Sequence, residues 1–250
     1  MSSASILRAQ IESILESRLP GALSFRPKTL PQTIPIGIPE LDQQTGGIPR
    51  GCLTEICGPT SSGRTTVLLS VMREMTQQGE CCALIDCGNA FNPFSAQGVD
   101  LRRVLWVRCN GRRTRLTPID KALRATDLVI NAGGFGLVVL DLGDVPEQIA
   151  RRVPLTSWYR FRRAVEDTTA VFLVIAQCAA AKSCSSLVLQ LQTLSSRWPV
   201  TPGAPNNPEL FTGAQVAAEI LRTRTQVPEI RGRKPAASVT GFSVSTAWAG

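Results

Sequence analysis

From residue 52 onward, short apolar runs alternate with stretches whose apolar positions recur at helical spacing. The runs 52–57 (CLTEIC), 81–86 (CCALID), 104–108 (VLWVR), 137–141 (LVVLD) and 171–176 (VFLVIA) are nearly continuous in hydrophobicity, which predicts strands buried on both faces. Helices are predicted between them at 65–77, about 117–131 and about 156–167. Buried strands separated by helices mean an α/β fold: a mainly parallel sheet with helices on both faces. After residue 185 the alternation stops. The segments 186–194, 218–224 and 236–244 read as strands without intervening helices, so antiparallel strands extend the sheet near the C-terminus. Residues 197–210, rich in Pro, Gly and Asn, read as a loop.

The first 33 residues follow another pattern. Residues 4–19 carry Leu7, Ile11 and Ile14 at helical spacing, and Pro20 and Gly21 end the run. A linker containing Pro27 and Pro31 leads to a core expected to begin near Ile34, giving an arm over 1–33 and a core with a basic tail over 34–250. The helix either packs on the core or serves as a self-assembly or partner arm.

Composition narrows the chemistry. At 43% hydrophobic residues the chain can bury a substantial core. Its longest apolar stretch, near 170–181, falls short of the roughly 20 residues a membrane helix needs. The acid-bearing N-terminal stretch lacks a cleavage signal, and the expected location is cytoplasmic with no membrane partner. Eight cysteines contain no C-x-x-C pair, and several fall in apolar runs, as reduced structural thiols do. Histidine is absent, which removes imidazole bases and most zinc sites. A net charge of +8 favours polyanionic partners, nucleic acid first.

The motif with most chemical content is GPTSSGRTT, comprising Gly58, Pro59, Thr60, Ser61, Ser62, Gly63, Arg64, Thr65 and Thr66. It follows a predicted strand and opens a predicted helix, the context of a phosphate-binding loop. The glycines let successive N–H groups face an anion, and the helix N-terminus adds its dipole. ATP and Mg²⁺ are the expected ligands, with Thr65 at the Mg²⁺-ligating hydroxyl position. Arg64 stands where the motif calls for lysine; it keeps the charge but is longer and planar. Asp141, ending the strand LVVLD, is placed to join Thr65 around Mg²⁺.

These residues, with the entry GIPELDQQTGGIPRGCLTEI (37–56), resemble the bacterial RecA superfamily of P-loop ATPases. The similarity runs from about Gly37 to Gln177, and the short length and leading helix look closest to the ImuA-like mutagenesis proteins. The resemblance implies a RecA-like P-loop NTPase core, with Gln177 as the γ-phosphate sensor. It also implies a loss, because the glutamate that polarises the attacking water falls on Gly88. No confident catalytic residue follows, although Asp86 or Asp144 can substitute. Losing a positioned general base typically costs about 10² to 10⁴ in rate, so hydrolysis is expected to be weak or absent.

The resemblance further implies DNA-binding loops after the strands ending at Asp141 and Gln177. Here these are residues 144–154, with Arg151 and Arg152, and 178–186, with Lys182; both are short. Other arginines cluster at 102–115, in WYRFRRA (158–164) and in the tail. Trp158, Phe161 and Val165 recur at the spacing of a core face, leaving the arginines between them to solvent. The resulting expectation is an ATP-binding accessory factor of bacterial DNA repair and the SOS-type damage response, acting in translesion mutagenesis with single-stranded DNA, protein partners and self-assembly. The alternatives are an active DNA-dependent ATPase and strand-exchange recombinase, or a damage-induced regulatory interaction protein with a vestigial nucleotide site.

Overall fold

The computed structural model describes residues 31–109, 115–166, 168–198, 211–224 and 239–245. The predicted N-terminal helix and most of its linker therefore lie outside the described residues, as do most of the loop at 197–210 and the tail arginines beyond Arg224.

A small antiparallel pair, β1 (Thr33–Ile34) and β2 (Ile48–Pro49), brackets α1 (Pro39–Thr45). Pro39 starts this helix, where its missing N–H costs nothing, and Gly46 ends it in a left-handed conformation. The main sheet follows: β3 (Leu53–Cys57), α2 (Arg64–Gln77), β4 (Cys82–Asp86), β5 (Val104–Arg108), α3 (Pro118–Ala132), β6 (Leu137–Asp141), α4 (Glu147–Ala150), α5 (Leu155–Glu166) and β7 (Val171–Ala176). Three long strands complete it: β8 (Leu187–Arg197), β9 (Gly213–Thr223) and β10 (Val239–Ser245). The strand order is β10-β9-β8-β3-β7-β6-β4-β5. Neighbours from β8 through β5 run parallel, and β8, β9 and β10 are antiparallel to one another. This is the α/β architecture the sequence pattern predicts.

Two apolar layers cover the sheet. On one face Val67, Leu68, Val71, Met72 and Met75 of α2 pack over the sheet, with Ile34, Ile36 and Leu41 from the entry segment. On the other, α3 supplies Ala122, Val129 and Ile130, and α5 supplies Trp158, Phe161 and Val165. Trp158 and Phe161 are fully buried, and Phe161 stacks edge-on against Phe172 of β7. The aromatic residues of WYRFRRA are thus core on one helix face, apart from half-exposed Tyr159. Arg160 and Arg163 face outward and pair with Asp127 and Glu166.

All eight cysteines are free thiols. Burial pushes the Cys57, Cys82 and Cys87 thiols up to about 12, so these three stay protonated and behave as small core residues. No helix among the described residues is long and apolar enough to cross a membrane.

Candidate functional site

Parallel strands bring their carboxyl ends to one edge of a sheet, and the crevice there is where open α/β sheets bind ligands. The register makes this concrete. Cys57 lies beside Ala176, Ile175 beside Asp141, and Asp141 beside Asp86. The residues that follow these ends, Gly58, Gln177 and Gly88, therefore share one edge with Asp141.

The loop 58–63 connects β3 to α2. Gly58 is required by close approach: a Cβ there would stand 2.3 Å from the Leu191 carbonyl oxygen and 2.6 Å from Ser62 Oγ. Gly63 caps α2 with φ +90°, a backbone conformation that favours glycine. No side chain caps this helix, so its first N–H groups remain directed at the loop. Ser61 also has positive φ, and its carbonyl accepts a 2.5 Å hydrogen bond from Thr193 Oγ1 of β8. Ser62 Oγ is buried without a hydrogen-bond partner. A loop held open by main-chain geometry, with an orphaned hydroxyl at a helix N-terminus, suits an anion that supplies many acceptors.

Arg64 does not extend into this loop. Its guanidinium is mostly buried and donates from Nη1 to the Gly143 carbonyl at 3.2 Å. Burial lowers its pKa, opposed by the nearby charges of Asp141 and Asp144. Gln177 Nε2 donates to the same Gly143 carbonyl, also at 3.2 Å, and Gly143 N–H donates to Asp141 Oδ1 at 2.8 Å. Gly143 thus ties the loop arginine, the residue ending β7 and the acid ending β6 to one peptide. That junction was not foreseen from sequence, where a glycine two residues past a strand has no distinguishing mark.

Burial pushes the Asp141 carboxyl up to about 6, reinforced by Asp86 and Asp144 and opposed by the Gly143 N–H and by Arg64. Asp141 and Asp144 both act on the Arg64 guanidinium, and Asp86 lies beside Asp141. Among the described residues no three His, Cys, Asp or Glu side chains converge as metal ligands. A cation held here by Asp141 would be one, such as Mg²⁺, that takes one or two protein ligands and draws the rest from phosphate and water. The sign of the pH effect follows. The raised carboxyl means that the folded state holds this proton more tightly than the unfolded chain does. The stability it contributes is full below the ordinary value of 3.8 and is lost as pH rises through about 6. Asp141→Asn, which keeps an acceptor for Gly143 N–H, should stabilise the metal-free protein at pH 7.5 by on the order of 2 kcal/mol, and less at pH 5. Urea denaturation in chelator at the two pH values measures this.

Asp86 is buried and fully engaged, accepting from Ala90 N–H, Phe91 N–H and Trp106 Nε1, each at 3.1 Å. These bonds hold the turn after β4. Gly88 is exposed on that turn, with Asp144 across from it.

The three basic residues proposed for DNA lie past the ends of β6 and β7. Arg151 pairs with Glu147, while Arg152 and Lys182 are exposed. The segment 178–186 is fastened rather than free. Glu55, buried within β3, accepts from Ala180 N–H at 2.7 Å, Ala181 N–H at 2.8 Å and the Ser185 hydroxyl. Arg222 and Arg224 of the tail donate to the Lys182 and Ser183 carbonyls. Glu55 also escaped the sequence reading; its signal was a single acid inside an otherwise apolar strand.

Residues 25–148 match the model of the RecA N-terminal domain. Protein RecA of Ectopseudomonas oleovorans is 39% identical over 98 residues, covering 38% of this chain and 26% of that protein. Protein RecA of Symbiobacterium thermophilum is 37% identical over 114 residues, covering 44% of this chain and 31% of that protein. The chain thus spans between a quarter and a third of the length of these relatives. In fold it is similar to the RadB recombinase, with a TM-score of 0.53 at 19% identity over 76% of this chain and 90% of that one. Residues 25–148 are thus similar in sequence to the RecA N-terminal domain, and the sheet has the RecA-like fold.

Proposed function

We propose that this protein is an ATP-binding accessory factor of bacterial DNA repair, acting in the damage response and translesion mutagenesis, with slow ATP hydrolysis. The observation that carries this reading is the juxtaposition of an open phosphate loop at the α2 N-terminus with Asp141, while glycine stands at position 88. This arrangement supports nucleotide binding without the usual water-polarising side chain.

Within the loop 58–66, the N–H groups of Gly63 through Thr66 hold the phosphates, and the Thr65 hydroxyl and Asp141 carboxyl would hold Mg²⁺. When bound, the ion neutralises charge between the β- and γ-phosphates. Arg64 supplies the loop's positive charge and Gln177 faces the terminal phosphate. Both now bond to the Gly143 carbonyl, and a phosphate oxygen is the stronger acceptor for a guanidinium. Triphosphate binding therefore draws Arg64 off Gly143 and frees the root of the segment 144–154. That differential contact is what a nucleotide-gated switch needs.

Arg151, Arg152, Lys182, Arg222 and Arg224 give the same region a positive face for single-stranded DNA. Contacts of this kind are mostly electrostatic and weaken steeply with salt. Protein partners in a mutagenic complex are the other expected ligands. Arg64→Ala should abolish ATP-dependent assembly or partner docking, read by light scattering with and without ATP. Unchanged assembly would remove the gating role.

A further inference from the structure

A side chain at position 88 has no room, and the reason is chemical. A Cβ built there would lie 2.9 Å from Asp144 Cβ, 3.0 Å from Asp144 Oδ2 and 3.4 Å from Asp144 Cγ. The space into which a residue at 88 would project already contains a carboxyl group. It arrives from the neighbouring strand: β6 and β4 are paired, with Asp141 beside Asp86, and the chain turns immediately after β6. That turn is closed by a 2.9 Å bond from Val145 N–H to the Leu142 carbonyl, with Gly143 and Asp144 at its centre. The glycine at 88 and the acid at 144 are thus two halves of one exchange.

The other acids at this edge are committed. Asp86 accepts three hydrogen bonds, and Asp141 accepts from Gly143 and is the proposed Mg²⁺ ligand. Asp144 is exposed, and its charge is felt by both Arg64 and Asp141. It is the residue after Gly143, whose carbonyl accepts from both Arg64 and Gln177.

We propose that Asp144 is the catalytic carboxylate of this protein, delivered from the turn after β6 in place of a side chain at position 88. The inference rests on ATP binding at residues 58–66. In the step, Asp144 accepts a proton from a water molecule as the water oxygen bonds to the γ-phosphorus. The bond from that phosphorus to the β–γ bridging oxygen breaks, and its electron pair leaves with ADP. Asp144 then passes the proton to solvent, leaving ADP and inorganic phosphate. A carboxylate one methylene shorter than glutamate, on an exposed turn, orients water less firmly, which accounts for slow turnover.

The test uses the full chain with MgATP and MgADP, measuring binding with fluorescent analogues and turnover by phosphate release. Asp144→Ala and Asp144→Asn should lower turnover about 100-fold, the scale of a lost general base, while ATP binding is retained. Removing a negative charge beside the terminal phosphate should also raise the ratio of ATP to ADP affinity about threefold to tenfold, a change that a merely structural role would not produce. Gly88→Glu alone should not raise turnover, because the new side chain collides with Asp144 and repels it. Combined with Asp144→Gly, which also removes the Cβ that lies 2.9 Å away, it should recover at least about tenfold over Asp144→Gly alone. Wild-type turnover that survives Asp144→Ala with binding intact, or an unchanged ATP-to-ADP ratio, overturns the proposal. So does ATP bound by the wild type with no phosphate released. Absence of ATP binding by the wild type would instead refute the nucleotide-binding reading on which the proposal rests.

Discussion

Glu55→Ala is expected to destabilise the protein by about 3 to 5 kcal/mol, because each buried donor left without a partner costs about 1 to 3 kcal/mol. The wild-type carboxyl lies in the central strand β3 and is 1% exposed. It takes the N–H groups of Ala180 and Ala181 and the Ser185 hydroxyl, residues more than a hundred positions away in sequence. Alanine leaves all three donors facing an apolar strand. Glu55→Gln is nearly isosteric but presents an amide NH₂ where an acceptor is needed, so it should recover only part of the loss. For a chain of this size the alanine change corresponds to a fall in melting temperature on the order of 10 °C. Ser185→Ala in the Glu55→Ala background should cost less than in the wild type, since one orphaned donor is removed. Chemical denaturation of the four proteins measures the coupling. A Glu55→Ala protein as stable as wild type would mean that the segment 178–186 is not fastened to β3.

Gly58→Ala should reduce ATP affinity at least about 100-fold, a loss of roughly 3 kcal/mol in binding. The Cβ would stand 2.3 Å from a main-chain oxygen of β8, and β8 is locked between β3 and β9. The strand cannot move aside, so the loop must, and its N–H groups lose their common direction. Gly79 provides the control. It also has positive φ, at +83°, but nothing lies within 4 Å of its Cβ position. Gly79→Ala should therefore cost only the backbone strain of about 1 to 2 kcal/mol and leave ATP binding intact. Equal loss of binding in both variants would show that the effect comes from general destabilisation rather than from the loop.

Strand positions were legible because burial on both faces demands continuous hydrophobicity. Each of the five parallel-core runs read from the pattern, such as CLTEIC, contains a strand of the sheet, to within a residue. Helix α2 begins at Arg64, one residue before the predicted start, because the loop glycine sets its cap. The short helix α1 was missed: its seven residues, PELDQQT, bury only Leu41 and Thr45, too few to mark a period. The arginine–aromatic segment was ambiguous in composition and legible in spacing, and Trp158 and Phe161 lie in the core as their period required.

The phosphate loop is a local motif and could be read directly. What surrounds it could not. Glu55 finds its partners across more than 120 residues, Gly143 collects hydrogen bonds from the start of α2 and the end of β7, and Asp144 reaches Gly88 only because β6 lies beside β4. Such contacts depend on strand order, which alternation along the chain does not encode. The same limit explains Arg64, whose side chain turns to Gly143 because a carbonyl and two acids happen to lie there.

The most direct test of the account is calorimetric titration of the purified protein with MgATP, with phosphate release followed in the same samples, with and without single-stranded DNA. The account predicts saturable one-site binding that is lost in Gly58→Ala, accompanied by slow turnover. No binding in the wild type under any salt condition would contradict it.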